Sequence, residues 1–345
     1  MKNSSSRILE ALPGLSVAAA IAAVATLIGH QFPILGSAMP AIVIGVAFAI
    51  LGRKPESLTP GLRFASKMVL QIAVVILGTQ LSLRQVAEVG AESFPIMIST
   101  LTVCLLAAWL LGKAMRIDSD LNVLIGVGTA ICGASAIAAV SPVVKARNEA
   151  IAYAVSTIFL FNVMAVVIFP PLGRLLGLTQ HEFGLFAGTA VNDTSSVVAT
   201  AGIYGSAALG FAVVVKLVRT LMIIPISLGL AVMEARKEAD REGETADSAG
   251  GRAGISVAGA LKLIPWFLIG FLLASVLRSV GVVPDAAQAP LASVAMFFIA
   301  TAMAAIGLST DVAGFRKAGI RPLLLGGLLW IIVTATALGA IFLMR

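Results

Sequence analysis

Few ionisable side chains stand deep inside the apolar stretches of this sequence, and those few are where chemistry has to be sought. Asp193 leads. It lies in the run Asn192-Asp193-Thr194-Ser195-Ser196, about ten residues into an apolar segment, which at about 1.5 Å per residue is near the middle of a bilayer core of roughly 30 Å. A carboxyl group there is expensive to bury, so it is a functional candidate by default. Desolvation raises its proton affinity and a nearby cation lowers it, which suits a carrier of H+ or Na+. Lys216 and Arg219, three apart on one helical face, are the natural counter-charges. Either they neutralise Asp193, or they hold an anionic substrate, for which a planar guanidinium offers a bidentate fork, or they snorkel to an interface.

Hydroxyl and backbone donors cluster in two matching motifs. Gly128-Thr-Ala-Ile-Cys-Gly-Ala-Ser-Ala-Ile-Ala-Ala139 and Gly188-Thr-Ala-Val-Asn-Asp-Thr-Ser-Ser-Val-Val-Ala199 share the opening Gly-Thr-Ala, a small polar centre and an apolar exit. Their centres, Gly133 and Asn192 to Ser196, are poor helix formers, because Gly costs about 1 kcal/mol against Ala and the polar residues compete for backbone hydrogen bonds. Both segments are therefore expected to be unwound or re-entrant at mid-membrane depth, as crossed broken helices or as opposed hairpins. Thr129, Gly133, Ser135, Asn192, Thr194, Ser195 and Ser196, with Lys216 and Arg219, form the expected substrate site, and Asp193 the ion-coupling group. Asn162, Gln71 and Gln80 are weaker candidates, since amides inside a bundle more often join helices. His30 and His181 fall near interfaces without metal-ligand partners at helical spacing, and no metal or cofactor is expected.

Composition dictates what positions these groups. With 59% hydrophobic and 12% charged residues among 345, and a mean hydropathy of +1.02, the chain cannot hide its apolar surface in an aqueous core. Its apolar runs fit helices and not barrel strands. Eleven segments are read, at 13–32, 35–51, 64–81, 94–111, 121–144, 151–172, 183–203, 207–233, 261–277, 291–308 and 323–344, within a single integral membrane domain of all-α class. Residues 121–233 form the central core, and 234–252 a solvated cytoplasmic linker. The net charge of +7 is dispersed over short connections, which indicates topology signals and argues against nucleic acid. With the N-terminus cytoplasmic, Lys2, Arg7, Arg53, Lys54, Arg63, Lys67, Lys113, Arg116, Arg174, Arg316, Lys317 and Arg321 lie inside. Arg84, Lys145, Arg147, Arg278 and Arg345 lie outside, and the C-terminus is periplasmic. If both central segments are re-entrant, Lys145 and Arg147 move inside and Arg174 moves out. Cys104 and Cys132 are both in apolar segments, so no disulfide framework is indicated.

Pro40 and Gly45 stand five apart, as do Pro265 and Gly270, and the stretch Gly78 to Gly90 that follows the first pair has the same length as Gly307 to Gly319 after the second. Segments two to four (35–112) thus resemble nine to eleven (261–344). An odd offset turns the copies opposite ways across the membrane, the inverted-topology repeat of secondary transporters.

On Gly128 to Ala139, Asn192-Asp-Thr-Ser-Ser-Val-Val198, Lys216-Leu-Val-Arg219 and Ala304-Ala-Ile-Gly-Leu-Ser-Thr-Asp311, the chain resembles the YeiH-like family of bacterial inner-membrane proteins. The resemblance is to what is called the sulfate exporter family, and that name implies export of sulfate or a related small sulfur oxyanion. More distantly it is similar to cation/proton antiporter and bile-acid symporter folds, which implies two discontinuous helices near the midplane. The expected function is secondary active transport of a small anionic solute by alternating access, coupled to H+ or Na+, in the lipid bilayer of the inner membrane, with room for a homodimer. A cation/proton antiporter or another organic-anion carrier is the alternative. An enzyme is not expected: Gly133-Ala134-Ser135-Ala136 has the look of an intramembrane serine nucleophile, but no histidine is set in a later helix interior to act as its base. A channel would call for rings of like residues, against the embedded acid.

Overall fold

The structure, a computed structural model, describes residues 4–32, 36–51, 56–242, 266–309 and 320–345. Among these the regular structure is helical throughout, as a chain surrounded by lipid requires, because a helix satisfies its own backbone groups. Seven helices are long and apolar enough to cross a membrane. They are α1 (Ser4–Gln31), α3 (Thr59–Gln80), α4 (Leu83–Ala114), α7 (Asn148–Leu175), the run Ser206–Glu234 formed by α10 (Ser206–Leu221) and the start of α11 (Ile223–Glu242), α13 (Asp285–Ser309) and α14 (Ile320–Leu343). Two shorter apolar helices, α2 (Ala38–Leu51) and α12 (Trp266–Ser279), accompany them. The stretches near 121–144 and 183–203 do not form single crossing helices. Each is a pair: α5 (Ser119–Ala130) with α6 (Ala134–Val140), and α8 (Gln180–Ala190) with α9 (Thr194–Tyr204).

Each pair doubles back. Arg147, beyond α6, returns to the start of α5, where its guanidinium meets Asp118 at 2.6 Å and its backbone N–H donates to Asp120 at 3.4 Å. At the end of α9, Tyr204 donates its hydroxyl to the Leu178 carbonyl, and just beyond it the Ala208 N–H donates to Gln180 at 3.0 Å. Arg174 reaches the Ile203 carbonyl at 3.1 Å. Both pairs are therefore re-entrant hairpins, which places Lys145 and Arg147 on the face of Asp118, and Arg174 on the face of Tyr204. Thr179 starts the second hairpin with a capping box, its hydroxyl and Glu182 satisfying each other's backbone N–H groups.

The remaining helices pack reciprocally. α2 lies along α13 at a glycine contact, where a Cβ on Gly45 would stand 3.0 Å from the Gly307 Cα. α12 lies along α3, with the Ser275 hydroxyl donating to the Gly78 carbonyl at 3.0 Å. α4 packs on α14, and α1 lies outside them against α13 and α3. One apolar core fills the space around the first hairpin, with Leu124, Ile131, Ile137 and Ile158 against Leu325 and Leu329 of α14. A larger one surrounds the second hairpin. α11 continues to Glu242, into the stretch read as a linker at 234–252, through Glu, Ala, Arg and Lys, all good helix formers. Residues 243–252, Pro265 and the repeat stretch 310–319 lie outside the described residues.

Candidate functional site

The tips of the two hairpins meet. Gly133, at the first break, has φ +68°, and a Cβ there would stand 3.5 Å from the Asp193 Cβ and backbone nitrogen at the second. That left-handed region costs glycine nothing and other residues about 1 kcal/mol or more. Asn162 of α7 sets the second break, its Oδ1 accepting from the Asn192 and Asp193 N–H groups at 3.1 and 3.2 Å. The amide joins helices, as expected of it.

Breaking a helix inside a membrane strands its last carbonyls and leaves a partial negative charge at its C-terminal end. Two such ends, of α5 and α8, meet here, and one helix answers both. Lys216 of α10 donates to the Ile131 carbonyl at 2.8 Å and the Val191 carbonyl at 2.9 Å. One turn on, Arg219 donates from Nε to Ala130 at 2.8 Å, from one terminal nitrogen to Thr129 at 2.9 Å, and from the other to Thr189. Both cations are fully buried. They cap half-helices instead of pairing with Asp193: among the described residues, no lysine or arginine nitrogen lies within 4.0 Å of its carboxylate. Asp193 is the N-cap of α9, its Oδ2 accepting from the Ser195 N–H at 2.9 Å and from the Ser195 hydroxyl.

The expected site residues thus separate into two sets. Ser135, Asp193, Thr194 and Ser195 come together on a cavity of about 180 Å³. Thr129, Lys216 and Arg219 lie behind it, with Thr129 returning its hydroxyl to the Ile125 carbonyl at 2.8 Å. Asn192 is buried, and its Oδ1 has no partner among the described residues. Ser196 is half-buried and does not line the cavity. Facing the hairpin tips from α3 are Ser66, Lys67, Leu70, Gln71 and Val74, with Phe267 of α12 beside them. Of these only Gln71 stood among the candidates. Lys67 was counted as a cytoplasmic topology marker, yet it lies eight residues into α3 and on the cavity wall. A π-turn at Ala65–Val69 carries it, a departure from α geometry that is frequent at functional sites.

Residues 13–326 match the family model described as Conserved hypothetical protein 698. A UPF0324 membrane protein of Streptococcus pyogenes serotype M3 is 44% identical over 338 residues, covering 96% of each chain. One from Streptococcus agalactiae serotype V is 41% identical, over 96% of this chain and 98% of its own. One from Fusobacterium nucleatum is 39% identical, over 90% and 92%.

Proposed function

The chain belongs to the UPF0324 membrane protein family, and from that premise we propose that it is a secondary transporter, and not an enzyme, that moves a small anionic solute by alternating access. The observation that carries this reading is the meeting of two broken hairpins, entered from opposite faces, at a polar cavity inside an apolar bundle. Non-helical backbone at membrane depth is tolerated where it is buried in protein or lines a cavity, and the two breaks are buried against each other beside one.

The reciprocal packing supports it further. The first helix of the 35–112 stretch, α2, meets the second of the 261–344 stretch, α13, and α12 meets α3 in return. Two copies related by a two-fold axis in the membrane plane would pack in this way. Orientation follows from charge: the hairpin geometry gathers Lys113, Arg116, Lys145 and Arg147 on one face, and that face is assigned to the cytoplasm, with the N-terminus inside, the C-terminus periplasmic and the bilayer the bacterial inner membrane. A sulfur oxyanion such as sulfate, the substrate implied by resemblance, is one member of the solute class.

Asp193 is assigned the coupling role for H+ or Na+, being the acid on the cavity wall. Asp193→Asn tests this cleanly, because an asparagine still caps α9 while losing the titration. In proteoliposomes carrying the whole chain, the wild type should show saturable counterflow and gradient-driven uptake, and Asp193→Asn should keep counterflow but lose the gradient dependence. Flux that never saturates would mean a channel. An unaltered pH profile in Asp193→Asn would leave Asp193 as a cap and nothing more.

A further inference from the structure

The donor set on the cavity wall says more about the solute than its sign. Trp266 donates its indole N–H to Gln71 Oε1 at 2.9 Å. Indole nitrogen is a donor only, so the orientation of that amide is fixed, and the Gln71 NH2 group is left to give its own hydrogens elsewhere. Lys67, one turn before Gln71 on the same face of α3, is exposed, and no carboxylate among the described residues lies within 4.0 Å of its ammonium. Across the cavity stand the hydroxyls of Ser135 and Thr194. The wall is therefore rich in donors where it faces the space, apart from Asp193, whose carboxylate is turned onto Ser195.

We propose that Lys67 and Gln71 of α3 hold the transported anion against the hairpin tips, and that this anion is a small monoanion in preference to a dianion. The proposal rests on the transporter reading and names the substrate class of the same site. The charge inventory of the wall decides it. With Asp193 neutralised by the proton or Na+ assigned to it, one lysine balances one negative charge, and a second would stand uncompensated beside that carboxyl group. Lys216 and Arg219 cannot supply the missing charge, because their hydrogen bonds go to hairpin carbonyls.

Binding to the purified whole chain should be measured by calorimetric titration with methanesulfonate, acetate and sulfate at one ionic strength, with counterflow in proteoliposomes alongside. Methanesulfonate or acetate should bind about tenfold or more tighter than sulfate, and Lys67→Gln should weaken that binding by about tenfold or more, since it removes the lysine that faces the anion. Lys67→Arg should retain most of it, and Gln71→Glu, which places an acceptor and a charge where a donor stood, should abolish it. Because Lys67 is exposed, the melting temperature of Lys67→Gln should match wild type, and Lys67→Arg serves as the folded comparison should it not. Sulfate binding as tight as methanesulfonate, no binding of any of the three, or Lys67→Gln binding like wild type would overturn the proposal. Wild-type counterflow that survives in Lys67→Gln would sink the proposal alone, whereas absence of counterflow with all three anions would remove the transporter reading with it.

Discussion

Replacing Arg219 by methionine separates two accounts of the same residue. Its three hydrogen-bond acceptors are all backbone carbonyls, two at the end of α5 and one at the end of α8, and the side chain is fully buried. Methionine fills much of the volume, so the loss is mainly electrostatic. Hydrogen bonds inside membrane proteins are worth about 0.6 kcal/mol on average and about 1.7 at most, which brackets the loss of three at about 2 to 5 kcal/mol. Relief from burying a charge pulls the figure down, and two half-helix ends left without a cation push it up. About 3 kcal/mol is the expected destabilisation, read from denaturant titration of the purified protein. Arg219→Lys keeps the charge but not the spread of the fork, and should fall between. A wild-type stability for Arg219→Met, together with lost binding of anions, would refute the reasoning and return Arg219 to the substrate site.

With Cys104 and Cys132 replaced, Gly133→Cys and Asp193→Cys should form a disulfide on mild oxidation, since the Cβ positions lie 3.5 Å apart, within disulfide range; two tips that never crosslink would place the hairpins apart. A membrane-impermeant thiol reagent should label Arg116→Cys and Lys145→Cys from one face and Arg174→Cys from the other, and labelling of Lys145→Cys and Arg174→Cys from the same side would undo the hairpin topology. At the exposed mouth of α8, hydrogen bonding from Arg345 holds the Glu182 carboxyl at about 2, below its ordinary 4.5. That stabilisation is fully present above about pH 4.5 and is lost as pH falls toward 2, so the gap in melting temperature between wild type and Arg345→Gln should close over that interval, and a gap independent of pH would assign the effect to packing.

The two helix breaks were legible because their cause is local: Gly133 and the Asn192 to Ser196 run are weak helix formers wherever they stand. Hairpin against crossed helix was not, since both use the same lengths and the same apolar halves. The deciding contacts, Arg147 on Asp118 and Tyr204 on Leu178, join residues 29 and 26 apart. Lys216 and Arg219 drew notice as buried charges, but their partners are main-chain carbonyls, and a carbonyl has no signature in sequence. Lys67 was not picked out as a site residue for a different reason. Positive charge near the start of an apolar segment is the ordinary topology signal, and the π-turn that sets Lys67 on the cavity wall arises from packing, leaving Ala-Ser-Lys-Met-Val unmarked as a sequence.

The bonds that hold the site also decide which parts can move. Lys216 joins a carbonyl of one hairpin to a carbonyl of the other, and Arg219 does the same one turn away, so α10 and both hairpin tips are tied in a dry environment where a broken bond finds no water to replace it. Asn162 adds α7 to that unit. On the far side of the cavity, α3 is held to α12 through Gly78 and Ser275, and α2 to α13 through paired glycines. Hydrogen bonds tie the first group and mainly close helix packing the second, and the cavity lies between them, walled by Lys67 and Gln71 on one side and Ser135 and Thr194 on the other. A solute bound there bridges the two groups, and displacement of one against the other would alter the surroundings of Asp193 while leaving its cap to Ser195 intact. Solute binding and proton or sodium affinity would then be coupled through a shared boundary, with no contiguous wire of residues needed to connect them.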